Sequence, residues 1–320
     1  MTITSNDRRP ASQRQVSNRI LAELRKDGRA NYTVVAKRLG IPRQVVTATV
    51  ERAVAADRLR LTVSVSPDLM GIERFAYAQI LIDRTVAAVR NALVAMPETT
   101  FVADMAGQFP LEAELRVRSD PGMRATLDRI ASLPNVRAVQ TTVYESIEAN
   151  HYSPLSTRRC GIRIDDLDRT LIRLLGQNCR APYRELADST GLSPSGARVR
   201  TERLFRTGAI RAIAVPVRAS LSETTSFRVG VRSAGKTADT LAALRVFDPE
   251  FLAVTIGQYD FIATVTADSA DAAIDITDEI RELDEVASID IAADLRIVKE
   301  RYVVDDWLAV TPRSAASRGH

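Results

Sequence analysis

Apolar positions along the chain follow two periods that take turns, and the turn-taking itself recurs. Spacings of three and four put Val16, Ile20, Leu21 and Leu24 on one face of a first helix, and Leu167, Leu171, Ile172 and Leu175 on one face of another. Each stripe is wide enough to seal a core. A second helix follows each, over 33–39 and 183–190, closed by Gly40 and Gly191, because glycine takes the left-handed conformation that ends a helix. After a three-residue turn, third helices are predicted over 42–56 and 194–207. Pro42 and Pro194 stand at first-turn positions, where a missing N–H costs nothing. Asp165 or Asp166 can cap the later unit's first helix and Ser193 its third, whereas Ile41 has no capping oxygen.

Between and after these units the period falls toward two. The run F-A-Y-A-Q-I-L-I-D after Arg74 reads as a strand, 86–96 as a helix, and 100–105 with 111–117 as a hairpin about Gly107-Gln108-Phe109-Pro110. A helix over 123–133 and a strand over 136–143 complete the unit. The same order returns as 227–231, 237–246, 251–256, the turn Gly257-Gln258-Tyr259-Asp260, 261–266, 270–283 and 286–293. This is βαββαβ twice, a ferredoxin-like unit with helices on one sheet face. The bare face of each sheet needs cover, so the two sheets are expected to pack face to face.

The predicted class is α+β, with two helix-turn-helix domains alternating with two βαββαβ ferredoxin-like domains. The domains are read as 1–66, 67–150, a linker at 151–164 rich in polar residues, then 165–220, 221–312 and a disordered tail at 313–320. Val303, Val304 and Trp307 would add an edge strand or pack on the sheet. A shift of 151 residues lays Arg29 on Arg180, Tyr32 on Tyr183, Ala36 on Ala187, Gly40 on Gly191 and Glu51-Arg52 on Glu202-Arg203. The match is weak in identity and strong in pattern, as expected of a tandem duplication.

Charge sharpens the picture. A net of +4 over 320 residues divides into +8 for residues 1–66, −3 for 67–157, +7 for 158–220 and −8 for the rest. The two helical units are therefore the candidates for a polyanion. Cys160, Cys179, His151 and His320 are the only cysteines and histidines, too few for a disulfide framework or a zinc cluster. No metal or cofactor is expected. No run of about 18 apolar residues is present, so no membrane contact is expected and the protein is placed in the cytoplasm.

A helix, a tight turn and an arginine-studded helix over 180–211 is how a protein puts a helix into the DNA major groove. Leu167-Asp168, Arg180, Tyr183, Glu185-Leu186-Ala187, Gly191-Leu192-Ser193-Pro194-Ser195, Arg198-Val199-Arg200, Glu202-Arg203-Leu204 and Gly208-Ala209-Ile210 together resemble the DNA-binding domain of the Lrp/AsnC (leucine-responsive/asparagine regulator) transcription factors. The βαββαβ unit with its Gly-x-Tyr-Asp hairpin resembles that family's effector-binding domain. The resemblance implies homodimers through the sheets, often assembled further, and modulation by amino acids or other small metabolites. Two copies in one chain would form an intramolecular pseudo-dimer, itself assembling as a dimer or tetramer.

Ser193, Pro194 and Ser195 begin the second reading helix, where free N–H groups suit phosphate, and Arg198 and Arg200 are placed to probe bases or phosphates. Arg203 either joins them or pairs with Glu202 or with the first helix. In the first copy Arg43, Gln44, Thr47 and Arg52 are the candidates, but Thr47 and Thr49 stand where Arg198 and Arg200 do. That copy either binds more weakly or only holds the fold. Two unequal helices on double-stranded DNA imply an imperfect palindrome.

Gly257, Gln258, Tyr259 and Asp260 supply backbone access, donors, a ring and a carboxylate suited to an ammonium group; in the family this turn lies at the effector site. The first copy keeps Gly107 and Gln108 but has Phe109 and Pro110 in place of the hydroxyl and carboxylate, so one effector per chain is expected. The plain alternative is a hairpin that needs glycine for its turn. Two other functions fit the same scaffold. One is a metabolite-sensing or partner-binding module that reads no DNA. The other is an enzyme: siroheme decarboxylases resemble this arrangement but use histidines in the sheet domain, which here holds none except His151 at the linker. The expectation is that the protein is not an enzyme.

Overall fold

The computed structural model describes residues 13–151, 160–216, 225–267 and 269–300. Val303, Val304, Trp307, the tail at 313–320 and the middle of the 151–164 linker lie outside the described residues.

Helices α1 (Gln13–Lys26), α2 (Tyr32–Leu39) and α3 (Arg43–Ala55) form the first helical unit, and α6 (Asp166–Gln177), α7 (Tyr183–Thr190) and α8 (Pro194–Arg206) the second. Gly40 and Gly191 end α2 and α7 with φ of 66° and 71°, conformations glycine adopts without steric cost. Asp165 and Asp168 cap α6 reciprocally, each side chain accepting from the other's backbone N–H. Ser193 caps α8 by accepting from the Gly196 N–H at 3.1 Å, while Pro42 occupies the cap position of α3 with no side-chain bond.

Each helical unit ends in a strand that the apolar pattern did not single out: β1 (Leu59–Val65) and β6 (Ile210–Pro216). They pair antiparallel from Leu59↔Pro216 to Val65↔Ile210. Their side chains cross between units. Val63 and Val65 enter the core of Leu171, Ile172, Leu175, Leu186 and Leu204, and Ala214 enters that of Ile20, Leu24, Val35 and Val46. Burying a valine side chain fully is worth about 1.5–3 kcal/mol, and Ala214 closes the other core at the matching place, so neither helical core is complete without the other unit's strand. A 3₁₀ turn at Pro67–Met70 leads out of β1.

The sheet region follows the predicted order: β2 (Arg74–Ile82), α4 (Val86–Ala95), β3 (Thr99–Met105), β4 (Leu111–Val117), α5 (Asp120–Ala131) and β5 (Val136–Asn150), then β7 (Thr225–Ser233), α9 (Thr237–Arg245), β8 (Phe251–Ile256), β9 (Phe261–Ala267), α10 (Ala270–Arg281) and β10 (Val286–Glu300). Helix α5 begins three residues before its predicted start, because Ser119 caps it and Pro121 fits its first turn.

The bare faces of the two sheets share an inner cluster, and, beyond the expectation, the sheets are also joined along their edges. The strands close into one barrel in the order β10-β3-β4-β2-β5-β8-β9-β7. The physical reason is the length of β5 and β10, 15 residues each. The first part of β5 pairs with β2 and its second part, from Val143 to Asn150, with β8. Likewise β10 pairs first with β7 and then, from Asp294 to Glu300, with β3. Each long strand carries its hydrogen bonds from its own sheet into the other, leaving no free edge there.

Helices α4 and α5 cover one outer wall over Ile80, Leu93, Leu111 and Ile130, and α9 and α10 the other over Val229, Leu244, Phe261 and Ile280. An inner cluster joins Phe75, Tyr77 and Tyr144 to Phe251, Tyr259 and Ile262. One charge pair lies among these rings. Arg228 donates to Glu112 at 2.5 Å and stacks 4.6 Å from the Tyr77 ring, and the Tyr77 hydroxyl donates to Glu112 at 2.6 Å. Glu112 is fully buried. Burial pushes its carboxyl up to about 7, against the pull of Arg228.

Two outcomes are expected from this pair. Arg228→Leu leaves a buried carboxylate without its cation and should cost about 3–5 kcal/mol in urea unfolding at neutral pH. Because the folded carboxyl titrates above the ordinary value of 4.5, the native state holds the extra proton between those values and stability should fall as pH rises through them. Glu112→Gln should flatten that decline; an unchanged slope would reject the assignment.

Candidate nucleic-acid interface and effector turn

The second reading helix is built on an electrostatic clamp. Asp168, 1% exposed, accepts from Arg200 at 3.0 Å and from Arg203 at 2.5 Å, and Asp165 accepts from Arg200 at 2.7 Å. The backbone N–H of Asp168, then the neighbouring Arg200, holds the Asp165 carboxyl below its usual range. Arg200 is raised by the same bonds. The two arginines thus fix α8 against the start of α6. Arg200, read from the sequence as a probe of bases or phosphates, is engaged with the first helix, and so is Arg203, for which that partner was one of the alternatives.

What α8 leaves outward is a shorter set. Ser193 and Ser195 lie 3.0 Å apart at its N-terminus, with Pro194 between them in the first turn. Arg198 is exposed and, among the described residues, bonds only along its own helix, to Glu202 at 2.8 Å. Val199, 66% exposed, was not singled out from the sequence. Its signal is an apolar residue on the polar face of the helix, and a methyl-bearing side chain there suits the thymine methyl.

On α3, Arg43, Gln44 and Arg52 are exposed, and neither arginine makes an ion pair among the described residues. Thr47 donates back to the Arg43 carbonyl at 3.2 Å. The contrast with α8 has a cause in the sequence. At the positions matching Asp165, Asp168 and Arg200 stand Arg14, Ser17 and Thr49. The clamp is missing as a unit, and Arg52, which corresponds to Arg203, has no matching carboxylate.

The two helical units are held by contacts that come in corresponding pairs. Gly28 N–H donates to the Ala212 carbonyl at 3.0 Å, and Cys179 N–H to that of Leu61 at 2.9 Å. A Cβ on Gly28 would come within 2.8 Å of the Ile213 backbone, so glycine is required for this approach. Arg29 lies 5.4 Å from the Tyr183 ring and donates to the Cys179 carbonyl; Arg180 lies 4.2 Å from the Tyr32 ring and donates to the Ala30 carbonyl. Cys179 is buried within this contact, which pushes its thiol up to about 11.

The turn at Gly257, Gln258, Tyr259 and Asp260, the candidate effector site, is also tightly held. Gly257 takes φ 142°, and a Cβ there would lie 3.1 Å from the Thr141 carbonyl oxygen of β5. Asp260 accepts from Arg232 at 3.2 Å and from the Ser233 N–H at 2.9 Å. The buried Tyr259 hydroxyl donates to Asp290, and burial, then this bond, raises its pKa. The Tyr259 ring needs Gly230 opposite, where a Cβ would sit 2.6 Å from it. Tyr259 and Asp260, read as ligand groups, therefore already have partners within the fold. The Gln258 Oε1 atom is buried with no hydrogen-bond partner among the described residues. Gly107, with φ 114°, and Gln108 are exposed.

Three family models match the chain: an AsnC-type helix-turn-helix domain over residues 164–204, an Lrp/AsnC ligand binding domain over 76–150 and a winged helix-turn-helix DNA-binding model over 13–60. The regulatory protein AsnC of Escherichia coli (strain K12) is 32% identical over 130 residues, which are 39% of this chain and 86% of that protein. The HTH-type transcriptional regulator LysM of Sulfurisphaera tokodaii is 24% identical over 140 residues, 42% of this chain and 96% of that protein. Over nearly the whole chain the fold is like that of the siroheme decarboxylase NirDL, solved with an iron-uroporphyrin III analogue. Its TM-score is 0.59 at 15% identity, covering 88% of this chain and 92% of that one. That likeness speaks for the fold alone. With helix-turn-helix and ligand-binding domains of the AsnC type and a regulator of that type matched over most of its length, the chain belongs to the Lrp/AsnC family of transcriptional regulators.

Proposed function

We propose that the chain is a tandem-duplicated regulator that reads double-stranded DNA as an intramolecular pseudo-dimer, in the cytoplasm, under the control of a small metabolite such as an amino acid. The observation that carries this reading is the register of the β1–β6 ribbon. The shift of 151 carries Leu59 to Ile210 and Val65 to Pro216, so the pairs Leu59↔Pro216 and Val65↔Ile210 simply exchange. The bonds from Gly28 to Ala212 and from Cys179 to Leu61 exchange in the same way. A two-fold relation of this kind is what a DNA dimer uses to meet two half-sites.

Both reading helices engage DNA in this proposal. Ser193, Pro194, Ser195, Arg198 and Val199 serve α8, and Arg43, Gln44, Thr47 and Arg52 serve α3, while Arg200 and Arg203 position α8. The half-sites are alike but not identical, giving an imperfect palindrome. The metabolite is assigned to the turn at Gly257 and Gln258, with Tyr259 and Asp260 shaping it; Gly107 and Gln108 form the lesser counterpart. Further assembly of the fused chain into dimers or tetramers is part of the proposal.

The alternative to be separated from this reading is a siroheme-decarboxylase-like enzyme, which shares the fold but whose sheet-domain histidines have no counterparts here. Titration with iron-uroporphyrin followed by absorbance separates it: a Soret shift on stoichiometric binding supports it, and an unchanged spectrum removes it.

Selection of bound fragments from genomic DNA, with and without an amino-acid pool, tests the main reading; two-part sites altered by the pool are expected, and recovery no better than bulk DNA would refute it. In gel shifts across several salt concentrations, Arg198→Ala and Arg43→Ala should each weaken binding, and for phosphate contacts reduce the salt slope by about 1. A loss confined to Arg198→Ala would restrict reading to the second helix. Asp168→Ala removes the clamp and should cost about 1–2 kcal/mol in thermal unfolding, since its partners are partly solvated.

A further inference from the structure

The contact between the helical units is made twice, and the two versions are unequal. In one, Arg29 lies between two rings, 5.4 Å from Tyr183 and 5.3 Å from Phe205. Phe205 packs against the second unit's core. In the other, Arg180 lies over Tyr32 alone, and the residue matching Phe205 is Val54, which is 44% exposed. Where the first version has a phenyl ring, the second has a cavity of about 690 Å³ whose lining includes Tyr32, Val50, Val54, Leu59, Glu51 and Arg180.

A second difference accompanies the first. Glu202 is engaged by Arg198 at 2.8 Å. Its counterpart Glu51 has Thr47 where Arg198 would be, and it makes no ion pair or hydrogen bond among the described residues. The cavity therefore combines an apolar wall, an aromatic ring under a guanidinium, the Arg60–Asp57 pair, and in Glu51 a carboxylate with no ion-pair partner among the described residues. Its volume falls in the range of small-molecule sites, about 300–1,000 Å³.

We propose that this cavity is a ligand site for a small aromatic molecule carrying an ammonium group, separate from the effector turn. The ring takes the place that Phe205 fills in the other groove, against Arg180 and Tyr32, where stacking and cation–π attraction reward an aromatic over an aliphatic group. The ammonium pairs with Glu51. Since Glu51 and Val54 share α3 with Arg43 and Arg52, occupancy bears directly on the placement of a reading helix. The assignment does not depend on DNA binding.

The test is calorimetric titration of the full chain, without DNA, using 2-phenylethylamine as probe. One site per chain is expected. Val54→Phe should supply the missing ring from within, raise the thermal midpoint and abolish probe binding. Glu51→Gln should weaken binding severalfold with the fold unchanged by circular dichroism. Phe205→Val combined with Arg198→Thr, which opens the matching groove and frees Glu202 as Val54 and Thr47 do in the first unit, should raise the stoichiometry from one toward two. No heat of binding with the wild-type chain, or binding unaltered by Val54→Phe, overturns the proposal whatever the outcome of the DNA experiments.

Discussion

The rest of the molecule depends on the antiparallel ribbon of β1 and β6 and on the arginines that lock it. Neither helical unit can close its core alone, because Val63 and Val65 belong to the second unit's core and Ala214 to the first's. Arg29 and Arg180 then reach across to the other unit's carbonyls and rings. A pair of reading helices mounted this way has a set spacing before it meets DNA. That removes the ordering that two free domains would undergo on binding.

The two halves correspond in pattern at a shift of 151 residues but are unequal, and the inequalities come in groups. The second helical unit has the whole clamp of Asp165, Asp168, Arg200 and Arg203; the first has Arg14, Ser17, Thr49 and Arg52 in its place. In the barrel, Glu112 from one half meets Arg228 from the other. By strand register Arg228 corresponds to Tyr77 and Glu112 to Ile262, so the pair forms once. A barrel made from two identical halves would bury either the carboxylate or the guanidinium without its partner, at a cost of several kcal/mol. The charge pair thereby favours the pairing of unlike halves.

Much of this was legible in the sequence for identifiable reasons. The six helices of the reading units show as amphipathic stripes with glycine and serine punctuation, and the βαββαβ order as changes of period. The ribbon was not singled out, although R-L-R-L-T-V-S-V alternates. Its partner lies about 150 residues away and Val63 and Val65 belong to the other unit's core, so local pattern carries no hint of the pairing. The barrel was missed for the same reason: the second halves of β5 and β10 hydrogen-bond outside their own unit. At the site, residue type points to the arginines of α8 as a group, but only the fold shows that Arg200 and Arg203 face the buried Asp168, while Arg43 and Arg52 have no such partner among the described residues. The apolar Val199 and the cavity beside Val54 become visible only once exposure is known.

The central claim is that one chain brings both reading helices to one operator. Sedimentation equilibrium of the full chain with a duplex carrying a single selected two-part site measures it directly. The structure predicts one chain per duplex, in the monomeric chain or in any larger assembly, with both half-sites required for full affinity. A ratio of two chains per duplex, each satisfied by one half-site, would contradict it.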